Sequence, residues 1–158
     1  MRGGRKDYLK LLNQLKMVAI NTNNLAKRKR MRNEMLRIIS RIFDVTSVYI
    51  CQHNMVDKHK IVRHEYIGSR ATINEKVSDL GIKYPESGMG GLVDWVYGDH
   101  SSPRILHIQD LEKNDPEYKE FGQYDVSTII FSALYYEGKF WGYMEIWDSR
   151  RNRESGKL

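Results

Sequence analysis

The sequence predicts an α+β domain with a central antiparallel sheet of five to six strands and helices on both faces. Two long segments near the C-terminus, "STIIFSALYY" and "KFWGYMEIW", are rich in aromatic and β-branched residues, and Glu137-Gly138 between them is typical of a tight hairpin turn. A second hairpin is indicated by "TSVYICQ" and "KIVRHEYIG" around a polar turn at 54–59. Upstream, apolar residues recur at helical spacing, so helices pack on a sheet built from hairpins.

The remaining elements follow from local patterns. Apolar spacing predicts one helix over 8–20 and another that ends near Phe43, the latter with an apolar face of Met31, Met35, Ile38, Ile39 and Ile42. We expect a short helix over 74–80 closed by Gly81, and another over 92–96 stopped by Gly98. The segment 104–110 is predicted as a strand, and 116–121 as a helical turn.

Composition limits the classes of function. The chain of 158 residues is the size of one domain, and no apolar run is long enough to span a bilayer. No signal peptide is apparent, so a cytoplasmic protein is expected. A single cysteine, Cys51, excludes an intrachain disulfide and a cysteine-rich zinc site. The net charge of +6 is concentrated in 27–41, which is interpreted as a solvated helix face or as a surface for an anionic partner.

The segment "SGMGGLVDWVYG" places three glycines, Gly88, Gly90 and Gly91, before an apolar run. A dinucleotide fingerprint needs a third glycine where Val93 stands, and a P-loop needs a following Lys-Ser/Thr. Neither motif is present. The glycines are therefore predicted to let the backbone turn tightly into a helix.

Three segments in order carry a resemblance to a known family. "GMGGLVDWVYGDH" resembles its glycine-led helix, "ILHIQDLEKND" its apolar strand before an acidic turn, and "STIIFSALYYEGKFWGYMEIWDSRR" its final hairpin. The chain thus resembles a GAF domain, a sensory module of bacterial and eukaryotic signalling proteins with a GAF/PAS-like sheet. It departs from the pattern at Thr128 and Ala133. The closing helix is missing before Leu158, so we expect a piece of a larger protein, with 1–24 as a signalling and dimerisation helix and 25–158 as the GAF domain.

The resemblance implies a ligand pocket between the sheet and the segments that cover one face. Its motifs map the ligand-binding candidates onto Met89, Trp95, Asp110 and Thr128, and the covering connection adds Tyr118. No catalytic residue, metal site or cofactor is expected, because Cys51 lies in a strand and is interpreted as a small buried apolar side chain. A catalytic pair of Cys51 with His64 on the neighbouring strand is not favoured. The other histidines lack metal-ligand spacing.

The resulting interpretation is a non-enzymatic regulatory domain. It binds a small molecule or another domain and controls an output domain of the histidine kinase or diguanylate cyclase type, as a homodimer through the 8–20 helix. Two alternatives stay open. One is a dimerisation module without a ligand. The other is a binder of nucleic acid or a membrane surface through the basic helix, although the aromatic platform of single-strand binders is missing.

Overall fold

Six antiparallel strands and three α-helices make up residues 25–150, the part of the chain that the computed structural model describes. The predicted 8–20 helix and the chain end after 150 lie outside the described residues. The helices are α1 (Leu25–Ile42), α2 (Gly91–Tyr97) and α3 (Pro116–Gly122), and a 3₁₀ turn covers Ile108–Asp110. The strands are β1 (Ser47–Asn54), β2 (His59–Ile67), β3 (Lys83–Pro85), β4 (Arg104–His107), β5 (Thr128–Tyr136) and β6 (Lys139–Asp148).

The sheet has the order β3-β2-β1-β6-β5-β4, so the two predicted hairpins join through β1 and β6 at its centre. The alternation of β6 divides the core between the two faces. Tyr143 and Trp147 lie in one apolar cluster with α2 and α3, while Met144 and Ile146 lie in a second cluster with α1. The predicted α+β fold with helices on both faces is confirmed.

Helix α1 buries Met35, Leu36 and Ile39. Its end is a Schellman motif, in which Val45 N–H donates to Ser40 O at 2.9 Å and Asp44 N–H to Arg41 O at 3.2 Å. Asp44 takes the left-handed conformation that this motif requires, with φ 51°. The helix therefore stops at Ile42, one residue before the expected boundary.

A β-bulge between Ile50 and Cys51 changes the register of β1 against β2. Ile50 pairs with His64, whereas the next residue, Cys51, pairs with Val62. Side chains alternate between the two faces along a strand. The extra residue in β2 shifts this alternation, so the residues after the bulge point to the opposite face from the one that a regular strand would give them. His64 consequently contacts Arg32 of α1, while Lys60 lies on the opposite face of the sheet.

The predicted helix over 74–80 is wrong. Residues 71–82 form irregular turns held by the buried carboxylate of Glu75, which accepts hydrogen bonds from Thr46 Oγ1 at 2.8 Å and from the Ser47 and Ser149 hydroxyls. The Thr72 side chain and backbone also bond to Glu75. Such side-chain bonds compete with the helical ladder. The short strand β3 that follows was not predicted, and the strand expected over 104–110 ends at His107.

Gly142 marks the closest approach of β6 to β1. A Cβ atom there would lie 2.0 Å from the carbonyl oxygen of Cys51, a backbone atom that cannot move aside alone. The absence of a side chain is therefore required by the central strand pair.

We expect Gly142→Ala to lower the free energy of unfolding by about 1–3 kcal/mol or more, because overpacking a close contact typically costs that much. Gly122→Ala is the matched control, since a Cβ there meets nothing within 4 Å. Urea denaturation of both variants measures the difference. Equal stability of the two variants would contradict this account of the strand pair.

Candidate functional site

A buried ion pair lies on the face of the sheet that α2 and α3 cover. Lys60 Nζ of β2 lies 2.7 Å from Glu145 Oε2 of β6, and their side chains are 10% and 2% exposed. The same carboxylate oxygen accepts a hydrogen bond from the Cys51 thiol of β1 at 2.9 Å. The pair thus spans the central strand, directly over its one cysteine.

Aromatic rings surround the ammonium group of Lys60. Its Nζ lies 5.6–5.9 Å from the ring centroids of Tyr84, Phe121 and Tyr143, within cation–π range. Burial alone would lower the pKa of Lys60, but the charge of Glu145 outweighs it and raises that pKa above the ordinary value. Lys60 is therefore a cation at neutral pH.

A cavity of about 20 Å³ lies beside the ion pair. Its charged lining residues are Lys60, Asp79, Glu120 and Glu145, and its aromatic ones are Tyr49, Tyr84, Phe121, Tyr124 and Trp147. Three buried polar atoms of these residues make no hydrogen bond of normal geometry: the Tyr49 hydroxyl, Glu145 Oε1 and Trp147 Nε1. Burying a polar atom without a partner costs free energy. The cavity beside these residues has room for about one water molecule.

A second polar chain connects the sheet to the glycine segment. Glu86, fully buried, accepts from the Tyr143 hydroxyl at 2.9 Å, and its other oxygen lies 2.6 Å from His53 Nδ1. Burial, and then the charge of Glu145, raises the pKa of Tyr143 far above its usual range, so its hydroxyl stays a donor. This carboxylate fixes the backbone just before the glycines.

The glycines themselves serve the turn into α2, as predicted. Gly88 and Gly90 have φ values of 82° and 56°, which favour glycine. At Gly91 a Cβ would lie 2.5 Å from Arg104 Nη2. Arg104 makes two hydrogen bonds with the buried Glu117 of α3, at 2.6 and 2.5 Å, and this pair occupies the space in front of the turn.

The structure places the five candidate ligand residues in different surroundings. Trp95 is buried and donates from Nε1 to Ser102 O at 2.9 Å, and Met89 and Tyr118 pack half-buried against the same apolar cluster. The Thr128 hydroxyl lies 3.2 Å from His107 Nδ1, and Asp110 is exposed at the end of the 3₁₀ turn. None of the five lines the cavity. Their contact with a ligand stays a prediction.

The residues that form the cavity were missed from the sequence. The signal that could have found them is a charged residue at a core position of an apolar strand. Glu145 lies between Tyr143 and Trp147 on the same face of β6. Among the described residues, no cluster of His, Cys, Asp or Glu is arranged to hold a metal ion. No described helix has both the length and the apolar character needed to cross a membrane.

The fold has well-defined structural neighbours. A phycocyanobilin-bound GAF domain from a cyanobacterial phytochrome matches with a TM-score of 0.66 at 13% identity, over 96% of this chain and 85% of that one. A far-red-absorbing dark state with bound biliverdin IXα matches with a TM-score of 0.63 at 13% identity, over 92% and 86%. The chromophore-binding domain of Stigmatella aurantiaca phytochrome P1 matches with a TM-score of 0.57 at 15% identity, over 91% and 52%.

This chain has the GAF-domain fold. No protein-family model matches its sequence, and no curated protein does. The resemblance drawn from the three sequence segments is thus confirmed at the level of the fold. Within this GAF fold, the bulge in β1 and β2 turns His64 away from Cys51, whose thiol contacts Glu145 instead.

We expect Lys60→Met to lower the free energy of unfolding by about 3–5 kcal/mol, because it leaves the Glu145 carboxylate buried without its partner. The double variant Lys60→Met/Glu145→Gln removes both charges and recovers most of that loss. Arg70→Met is the control, since the Arg70–Asp44 pair is about half exposed and changes stability by less than about 1 kcal/mol. Urea denaturation measures all three, and a double variant less stable than Lys60→Met would contradict the assignment.

The pH dependence of stability tests the surroundings of His64, on the face of the sheet that α1 covers. Burial, followed by the charges of Arg32, Arg63 and Lys29, lowers the pKa of His64 to about 4. In the unfolded chain a histidine titrates near pH 6.5, so between about pH 6.5 and 4 the unfolded chain binds a proton that the folded chain does not. The free energy of unfolding should therefore fall as the pH decreases through this window. Above pH 6.5 the contribution of the neutral His64 is fully present. His64→Gln should reduce the slope there; an unchanged slope would contradict a neutral, half-buried imidazole.

Proposed function

We propose that this chain is a non-enzymatic sensory domain, which binds a small ligand in the cavity beside Lys60 and Glu145 and controls an output domain of a larger signalling protein. The observation that carries the proposal is the charged and aromatic lining of that cavity, in which three buried polar atoms make no hydrogen bond of normal geometry. A domain that needed this face only as a core would gain stability from apolar residues there. The GAF fold supports a sensory role.

The ligand we propose is not a bilin, although the structural neighbours hold bilins. The space beside the ion pair is about 20 Å³, which suits a guest close to the size of water, whereas pockets for drug-sized ligands reach 300–1,000 Å³. Cys51 does not suit a covalent bond to a tetrapyrrole either. It is fully buried, and burial followed by the charge of Glu145 raises the pKa of its thiol well above the ordinary value, so the reactive thiolate is disfavoured.

We further propose a cytoplasmic homodimer that controls a histidine kinase or a diguanylate cyclase type of output. The apolar positions of 8–20, among them Leu11, Leu12 and Leu15, supply the stripe for a two-fold interface. Leu12→Glu combined with Leu15→Glu changes only that stripe. Sedimentation of this variant beside the unmodified chain separates dimerisation from ligand binding.

The experiment for ligand binding is a thermal-shift screen of small polar compounds on the full chain, with native mass spectrometry of each hit. We expect at least one compound to raise the melting temperature. We expect the shift to be lost in Lys60→Met/Glu145→Gln and kept in Asp110→Asn, because Asp110 lies on the surface away from the cavity. Expression beside bilin-synthesising enzymes should give no covalently coloured protein.

Two results would count against the proposal. A hit whose shift is lost in Asp110→Asn but kept in the double variant would favour the motif-derived residues over the cavity. A screen without any hit, with the dimer intact in sedimentation, would favour a dimerisation module without a ligand.

A further inference from the structure

We propose that the hairpin end of the domain, the turns 55–58 and 137–138 with Arg63 and Lys29 beside them, docks onto an anionic phospholipid membrane. Two independent features carry the proposal. Apolar side chains are exposed at this end, and cations converge next to them. This surface is separate from the proposed ligand cavity, so each proposal is tested without the other.

Both turns lie at one end of the sheet. Gln52 of β1 pairs with Gly142 of β6; from there β1 runs on into the turn 55–58, while β6 leads back to the turn 137–138. Helix α1 is joined to β1 by a short connection and runs in the opposite direction along the sheet. Its Arg32 contacts the middle of β2, so the residues before Arg32 extend toward the same end.

The β1–β2 turn presents two apolar side chains to solvent. Met55 is 70% exposed and Val56 is 90% exposed, at turn positions where small polar residues are usual. The turn is held by Asn54, whose Oδ1 accepts from Val56 N–H at 3.0 Å and from Asp57 N–H at 3.1 Å. The fold therefore fixes both apolar side chains outside the core, and entry into lipid would remove their surface from water.

Three tyrosines extend this apolar surface. Tyr97, Tyr135 and Tyr136 are 40–45% exposed, and the Tyr97 ring packs edge-on against His53 near the end of β1, with the ring centroids 5.4 Å apart. Single exposed apolar residues are ordinary on a protein surface, whereas a group of them at one place indicates an interface. Tyrosine is enriched where protein meets the membrane–water boundary, because its ring is apolar and its hydroxyl is polar.

Cations converge on the α1 side of this end. Arg32 donates from Nη1 to His64 Nε2, and Arg63 donates from Nε to Gln52 Oε1 at 2.8 Å, about 10 Å along the strand from the turn. Burial, followed by the charges of Arg32, Arg63 and Lys29, lowers the pKa of this imidazole. Within the described part of the chain, neither Arg63 nor Lys29 forms an ion pair. The cluster is therefore positive and open to an external anion.

The carboxylates of the turns do not cancel this charge. Each turn has one acidic residue and one lysine close to it in the chain, Asp57 with Lys58 and Glu137 with Lys139. Net positive charge therefore comes from α1 and Arg63. An anionic membrane offers phosphate charge and an apolar interior together, whereas duplex nucleic acid offers the charge alone. The exposed apolar turn beside the cations thus favours the membrane.

Cosedimentation of the full chain with vesicles tests the proposal. The vesicles are an equimolar mixture of phosphatidylcholine and phosphatidylserine, and vesicles of phosphatidylcholine alone are the control. We expect saturable binding to the mixed vesicles, little binding to the control, and weaker binding as salt screens the headgroup charge. Absence of binding to the mixed vesicles by the unmodified chain would overturn the proposal.

Val56→Asp tests the apolar turn. It removes an apolar side chain from the lipid and adds a negative charge, so binding to the mixed vesicles should weaken at least about tenfold. Val77→Asp is the matched control, because Val77 is 66% exposed and lies in the 71–82 segment. It should leave binding unchanged.

Arg63→Gln tests the cations. Each basic residue near an anionic membrane strengthens binding by a factor of about five, so this variant should weaken it by about that factor. Arg41→Gln is the matched control, because Arg41 is exposed in the last turn of α1, at the other end of the helix. It should leave binding unchanged.

The variants separate a membrane from other partners. Equal effects of Val56→Asp and Val77→Asp, or of Arg63→Gln and Arg41→Gln, would overturn the docking surface. Duplex DNA binding that is lost in Arg63→Gln but kept in Val56→Asp, without vesicle binding by the unmodified chain, would assign the cations to nucleic acid and overturn the membrane. A thermal shift by a screen hit should persist in Val56→Asp, so failure of the membrane leaves the proposed function standing.

Discussion

The ion pair between Lys60 and Glu145 sets the constraint to which the central strands conform. Adjacent strands lie about 4.8 Å apart, so a pair from β2 to β6 must reach across β1, over a distance of about 10 Å. The long lysine side chain covers most of that distance, and the strand beneath must present a small side chain at the crossing. Cys51 meets this need and also donates its thiol hydrogen to Glu145. Gly142, which pairs with Gln52, lets β6 approach the carbonyl group of Cys51 closely.

Such an arrangement is costly for a domain of this size. Two charges leave water, and three further buried polar atoms of the residues that line the cavity make no hydrogen bond of normal geometry. Cation–π contacts with the rings of Tyr84, Phe121 and Tyr143 offset part of the free energy of burying the Lys60 ammonium. Its attraction to the Glu145 carboxylate offsets the rest. What the arrangement provides is a polar centre inside an apolar layer, and its charges are fixed by the backbone before any guest arrives. That is the physical requirement for selecting among small polar molecules.

Sequence patterns predicted the elements that depend on local chemistry. The β5–β6 hairpin has its turn at Glu137 and Gly138, both at positive φ, and the face of α1 is set by helical spacing. They could not predict the bulge at Ile50 and Cys51, because one extra residue in β2 reverses the face of every side chain beyond it without changing the pattern of residue types. The helix expected over 74–80 failed for a related reason: the partners of Glu75 come from 46–47 and 149, far away in sequence. The cavity was missed because its carboxylates come from three separate parts of the chain, the irregular 71–82 segment, α3 and β6, which only the tertiary fold brings together.

The same fold holds bilins in its structural neighbours and here leaves a space of about 20 Å³ beside the Lys60–Glu145 pair, so residues rather than topology decide what this part of the fold accepts. The irregular segment between β2 and α2, which covers this face of the sheet, shapes the cavity as much as the sheet does. Glu75 and Glu86 bind the irregular segment between them to the sheet through hydroxyl groups of Ser47 and Tyr143. Asp79 and Tyr84 belong to that segment and also line the cavity, while Val77 between the anchors stays exposed. The wall of the cavity and the surface of the domain are therefore formed by one continuous segment, which gives an occupied cavity a direct physical connection to the exterior.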